Sequence, residues 1–344
     1  MTLTETGPSR MHSGVVATLL VALPLLLFPL SFLIGRYPVD PFTVLKVIAA
    51  QFMPIAPDWP PTVEAVVLNV RLPRVLAAMV VGGGLAIAGA SYQGVFRNPL
   101  VSPFTLGVSA GAGFGAAVAI LLFNQRYAIQ LCAFGGGLTA VALCLAMSRF
   151  YRINSTIVLV LGGVIVGSLF TALLALLKYI ADPNSKLPVI EFWLLGSLSS
   201  VSMADMAPML LVSIPSAAVL LLLRWRLNVL AMGDEQARIM GVEAGRLRFV
   251  FILFSTLIAA SAVSISGIIG WVGLVIPHLA RIIVGPDFRR LLPAALSLGA
   301  CYLLIIDDIA RTVTAAEVPL GVLTALIGAP VFILLLGRGG LGWA

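Results

Sequence analysis

Residues 71–120 read RLPRVLAAMVVGGGLAIAGASYQGVFRNPLVSPFTLGVSAGAGFGAAVAI, a run that is at once very apolar and very rich in glycine. Apolar stretches of this length do not close into soluble cores; spans of ~20 apolar residues cross a bilayer. Small residues recur in it at helical spacing. Gly107, Gly111 and Gly115 stand four apart, as do Gly163 and Gly167 further on. Such stripes let helix backbones approach closely in lipid. An Arg-Asn-Pro turn divides the run into two spans, and Arg71 and Arg74 precede the first.

The whole chain continues the theme. Of its 344 residues, 60% are hydrophobic and 10% charged, against about 25% charged in soluble domains. Apolar runs at 14–34, 72–94, 105–123, 129–148, 156–180, 204–223, 248–265, 267–284, 291–308 and 317–337 predict an all-α polytopic membrane protein with ten transmembrane helices in one domain, residues 1–344. The eighth run is weak, because Gly267, Gly270, Gly273 and Pro277 interrupt it. A broken helix survives at membrane depth where protein or a water-filled cavity satisfies its backbone, so this region is expected beside a pathway. The first run lacks a clear small-residue cleavage site and is read as a retained span.

Orientation follows from the basic residues. With the N-terminus (1–13) in the cytoplasm, thirteen of the 21 basic residues and five of the 14 acids fall inside. The net charge of +7 is then mostly a topology signal and needs no nucleic-acid partner. Two external polar segments are expected to carry short interfacial helices: the loop 36–70, through PFTVLKVIAAQF, and 187–200, LPVIEFWLLGSLSS, the latter alternatively re-entrant. The substantial cytoplasmic loop is 224–248. Its acids Asp234 and Glu235 suit a helix N-terminus and Gly241 suits a stop.

Catalytic chemistry is not legible here. Triads, paired buried carboxylates and zinc spacings are missing, and two histidines are too few for a metal cage. The three cysteines sit in apolar runs without ligand spacing. No GxxxxGK[ST] loop occurs, so any ATP binds another chain. A secondary transporter acting alone would show ionisable groups within its spans, and these spans are almost free of them; a receptor or scaffold would not need broken, glycine-rich spans. Asp307 and Arg311, at i,i+4, can pair on one helix face beside Asp308. Arg71 and Arg74 share a face at the outer mouth of their span. They either snorkel to lipid headgroups or, with external charge otherwise sparse, meet carboxylates of another protein. The 228–245 loop is either a solvated connector or, given Met232, Ile239 and Met240, a helix that inserts in a groove of a peripheral protein.

The motifs RLPR, RNPLVSP with LGVSAGAGFG, WLLGSLS, GDEQARIMGV, GWVGLVIPHLARIIVGPDFRRLLP and ARTVTAAEVPLGVLTALIGAPVF occur in order from about Arg71 to Leu336. Together they resemble the iron-chelate and cobalamin uptake permeases of ABC transporters. The resemblance implies a type II importer permease with pseudo-symmetric halves in the bacterial cytoplasmic membrane, both termini cytoplasmic. It works as a dimer, usually of identical subunits, with two ATPase subunits below and a periplasmic or lipid-tethered binding protein above. The chain itself would carry no cofactor, ATP and Mg residing on the ATPases. By motif, Arg71, Arg74 and Arg311 would meet glutamates of the binding protein. Asp234, Glu235, Arg238 and Gly241 would form the helix that couples to the ATPase. Asn98 and Leu100 of the RNPL turn, with Ser155 and Thr156, would line the inner end of the pathway; Arg97 stands where some relatives carry an acid. A ferric siderophore is the expected cargo, with haem, a corrinoid or molybdate as alternatives.

Overall fold

A bilayer offers the backbone no hydrogen-bond partners, so a chain this apolar must satisfy its peptide groups within helices. The computed structural model describes residues 10–150, 156–314 and 316–337, and every regular element among them is helical. Seven helical stretches are long and apolar enough to span a membrane. They are α1 (Arg10–Ser31), the continuous stretch from α3 (Pro61–Ala65) into α4 (Leu72–Phe96), α6 (Arg126–Phe150), α7 (Thr156–Ile180), α9 (Met203–Met232), α11 (Ala244–Ser266) and α13 (Phe288–Ala310). Three shorter apolar helices join them: α5 (Val108–Leu122), α12 (Val272–Val284) and α14 (Leu320–Gly337). The remaining helices, α2 (Pro41–Ala49), α8 (Lys186–Leu195) and α10 (Asp234–Ile239), are short.

Each of the ten predicted runs holds one of these helices, but several limits move. Loop 36–70 is half helix: its second part, from Pro61, winds into α4 through a π-helical segment, Val66–Arg71. The cytoplasmic loop shrinks, because α9 continues to Met232 and α11 begins at Ala244. Residues 224–232, with Arg224 and Arg226 at their start, extend the helix beyond the predicted span, since arginines with long stems lie on a helix without breaking it. Before α5, Pro103–Leu106 forms a 3₁₀ turn closed by a Ser102–Thr105 capping box. The predicted interfacial helix in PFTVLKVIAAQF is α2, started by Pro41 and by Asp40, whose carboxylate accepts from Thr43 N at 3.0 Å.

α4 is the central helix, packed by α13, α11, α9 and α12 and buried along most of its length, whereas α1 lies at the edge. Small residues explain the difference. A Cβ on Gly89 would stand 1.9 Å from the carbonyl oxygen of Gly273 in α12, so those two backbones are in direct contact. The glycine stripe of α5 works the same way, but divides its neighbours. Gly111 and Gly115 face Gly136 O and Cys132 O of α6, while Gly107 meets Gly167 of α7. Without a hydrophobic drive between helices in lipid, such close packing is what holds them together.

The weak eighth run is a true break. Residues 267–271 are non-helical, and α12 starts only at Val272. Gly267 takes φ +67°, and a Cβ there would sit 2.2 Å from Trp193 O, so conformation and space both require glycine. Neighbouring backbone satisfies the freed groups: Ser197 N donates to Ser266 O at 2.8 Å and Leu320 N to Gly196 O at 2.9 Å. The end of α8, the α11–α12 break and the start of α14 thus form one junction, with protein closing the backbone.

Candidate functional site

Charged residues gather at two ends of the bundle: the start of α4 meets the ends of α1 and α13 at one, and α10 lies between the end of α9 and the start of α11 at the other. At one end, Val63, Val67, Arg71 and Arg74 are all buried. The π-helical segment makes this possible: Leu72 N donates to Val67 O, a turn one residue wider than α, which suits a buried spacing of four. Arg71 donates to the carbonyl oxygens of Phe32 and Tyr37 at the end of α1. Arg74 Nε holds both oxygens of Asp307 at 2.9 and 3.0 Å, and its Nη1 reaches Glu317 at 2.8 Å. Arg311 pairs with Asp308, lies 4.0 Å from Asp307, and donates to Ser31 O and Oγ, each at 2.7 Å. Ser31 Oγ in turn donates to Asp308 at 2.6 Å.

The three arginines expected at the outer mouth are engaged within the chain: Arg71, Arg74 and Arg311 are 4%, 5% and 6% exposed. Arg74 and Arg311 face Asp307, Asp308 and Glu317, while Arg71 is held by backbone carbonyls alone; the three cations and three acids balance formally. The cluster ties α1, α4, α13 and the start of the α13–α14 loop together. The expected Asp307–Arg311 i,i+4 contact is present but secondary to Arg74–Asp307. Sequence gave no sign of that partnership, because the residues lie 233 apart. Two charged groups bordering the cluster face outward: Glu317, one-third exposed, and Arg36, exposed while donating to Arg311 O at 3.1 Å and Thr314 O at 2.5 Å. At the same end, Asp205 is fully buried. It pairs with Arg126, accepts from Gln130 at 2.8 Å and closes a capping box with Ser202. A capping-box pattern, SxxD, was its only sequence signal.

At the opposite end, α10 projects between α9 and α11. Asp234 is anchored, its Oδ1 accepting from Arg248 Nη2 at 2.6 Å, with Arg248 buried. Asp234 is therefore tied to the bundle through Arg248 although its side chain is 44% exposed, and Glu235 is the more open of the two acids. Arg238, Ile239 and Met240 are exposed too, Ile239 at 81%. Gly241, at φ +73°, ends the helix in a Schellman motif: Gly241 N donates to Arg238 O at 3.0 Å and Val242 N to Ala237 O at 2.9 Å.

The RNPL turn lies beside this helix. Arg97 caps α4 at φ +50°, and its guanidinium stands over Gly233, where a Cβ would be 3.2 Å from Nη1. Asn98 folds its side chain back, Oδ1 accepting from Leu100 N at 2.9 Å, and Leu100 is 54% exposed. Ser155 lies outside the described residues; Thr156 opens α7, and its side chain also falls outside the description. Among the described residues no cluster of His, Cys, Asp and Glu is placed to hold a metal ion.

Against known proteins, the sequence profile of the FecCD transport family matches residues 20–338. The chain is 40% identical to the molybdate import system permease protein MolB of Haemophilus influenzae, over 91% of this chain and 93% of that one. It is 41% identical to an iron chelatin transport system permease protein of Helicobacter pylori, over 80% and 84%. A solved structure described as an inward-facing metal-chelate type ABC transporter superposes with a TM-score of 0.84 at 37% identity, covering 95% of this chain and 99% of that one.

Proposed function

The chain belongs to the FecCD transport family, and from that premise we propose that it is the membrane-spanning half of an ATP-driven importer whose Asp234 end faces the cytoplasm. It is a multi-pass ABC importer permease; the family's permeases are non-catalytic, with ATP handled by a separate subunit. The observation that carries the fuller reading is α10. A six-residue helix with an exposed apolar tip, Ile239 and Met240, is braced at its root by Asp234–Arg248 and flanked by Arg97. A rigid apolar knob outside the membrane is the shape that a groove on a peripheral ATPase receives. Because α10 is continuous with α9 and α11 through short connections, force on the knob moves both. ATP-driven switching then needs only differential contacts of the two conformations.

The other end receives the binding protein. Its docking cations differ from those the motif named. Arg71, Arg74 and Arg311 form the frame, and the contacting cation is the exposed Arg36. Two copies of the chain present this face twice. The pathway is smooth and weakly binding, since the spans hold few unpaired polar groups, and selection rests with the binding protein. We assign a metal chelate, a ferric siderophore first, as cargo. Molybdate is the second reading, favoured by the 40% identity to the Haemophilus permease.

The test is transport by proteoliposomes holding the permease, its ATPase and its binding protein, supplied with radiolabelled ferric siderophore or molybdate. ATP-dependent uptake of one cargo, abolished when Ile239 and Met240 are both changed to serine, is expected. ATP-independent uptake, or uptake insensitive to that change, refutes the coupling role.

A further inference from the structure

A groove runs along the edge of the bundle where α1 packs on α13 beside α12. Its wider part, 650 Å³, opens at the Asp234 end and is lined by Val16, Ala17 and Leu20 of α1, Ile283 of α12, and Arg289 and Arg290 at the start of α13. A second compartment of 330 Å³ shares Val16, Leu20 and Ile283 and continues to Leu26. Its lining is apolar throughout. From Val16 to Leu26 the slot follows ten residues of helix, roughly 15 Å, the depth of one leaflet of a ~30 Å hydrocarbon core. The floor is fixed, because Ser297 of α13 donates to Leu20 O across it.

The two arginines at its mouth have no structural task of their own. Both are exposed, and no acid among the described residues pairs with either. The nearby Asp287 is engaged instead with Asn228 and, as the cap of α13, with Arg289 N. An apolar slot one leaflet deep under two unpaired guanidiniums matches one class of molecule, a lipid with an anionic head and an acyl tail. We propose that this groove is a binding site for an anionic phospholipid, the phosphate on Arg289 and Arg290 and one acyl chain lying between α1, α12 and α13. The site rests on membrane insertion alone and stands whichever cargo the permease carries.

The experiment is native mass spectrometry of the purified chain in detergent, titrated with phosphatidylglycerol or with phosphatidylcholine of the same acyl chains. One phosphatidylglycerol should be retained on the order of thirtyfold more tightly than phosphatidylcholine, the product of two arginine–headgroup contacts. R289Q/R290Q should abolish the preference, while R224Q/R226Q, which removes two arginines elsewhere at that end, should keep it. A17W, at an exposed position, fills the slot and should release both lipids. Equal retention of the two lipids, loss of preference in the R224Q/R226Q control, or full binding by A17W would each overturn the proposal. So would competition by free glycerol phosphate, which needs no slot, or a change in A17W from protein dimer to monomer, which would make a second copy the occupant.

Discussion

Removing Asp307 tests whether the charged end is a frame or an open docking patch. Asp307 is fully buried, receives both Arg74 Nε contacts and lies 4.0 Å from Arg311. In Asp307→Ala, Arg74 keeps only Glu317, and Arg311 keeps Asp308, Ser31 O and Ser31 Oγ. Removing one partner of a buried pair costs about 3–5 kcal/mol, because the other charge stays desolvated and uncompensated. At roughly 2–4 °C per kcal/mol for larger domains, the melting point should fall by about 10 °C. Glu317→Gln touches the same arginine through a group one-third exposed, where a pair is worth about 0–1 kcal/mol, so it should melt within a few degrees of wild type. Arg74→Met combined with Asp307→Leu removes both charges and should recover much of the Asp307→Ala loss. The assay is thermal unfolding in detergent, read through exposure of the buried thiols Cys144 and Cys301. If Asp307→Ala melts like wild type, or the double variant is worse than the sum of the singles, the cluster is not a frame. Reversing Arg71, Arg74 and Arg311 to glutamate reports on folding, not docking, because it buries three unpaired acids.

Docking is read instead at Arg36: Arg36→Glu should weaken binding-protein affinity at low salt, the deficit shrinking toward 1 M salt as the Debye length falls to ~3 Å, with thermal stability unchanged. Glu235→Lys should reduce co-purification of the ATPase while leaving the melting point intact, whereas Asp234→Asn should loosen α10 itself by weakening the tie to Arg248. Gly115→Leu should prevent accumulation of folded protein, since even a Cβ there would lie 2.0 Å from Cys132 O; normal yield by fluorescence-detected gel filtration would argue against the α5–α6 contact. The isolated chain should show no saturable ATP binding in equilibrium dialysis.

How much of this was legible in advance depended on the range of the interaction concerned. Span positions, the interruption at 267–271 and the short helices α2, α8 and α10 are written locally, in apolar run length, glycine spacing and capping residues, because each needs only neighbours a turn away. The π-helical entry to α4 and the nine-residue overrun of α9 were not, since nothing in VVLNVR or RWRLNVLAM distinguishes a widened or prolonged helix from a loop until other helices pack on it. Charge is the sharpest case. Sequence placed Arg71, Arg74 and Arg311 at one end and Asp234 and Glu235 at the other. It did not foresee that Arg71, Arg74 and Asp234 are held within the chain, because their partners, among them Asp307, the backbone of Phe32 and Tyr37, and Arg248, come from elsewhere in the sequence. Only the tertiary structure decides which charges are spent inside and which remain outside, Arg36, Glu235, Arg289 and Arg290 among the latter. The cause is desolvation: a helix bundle that closes over an arginine must supply its acid or carbonyl partners in the same place, and folding alone brings them together.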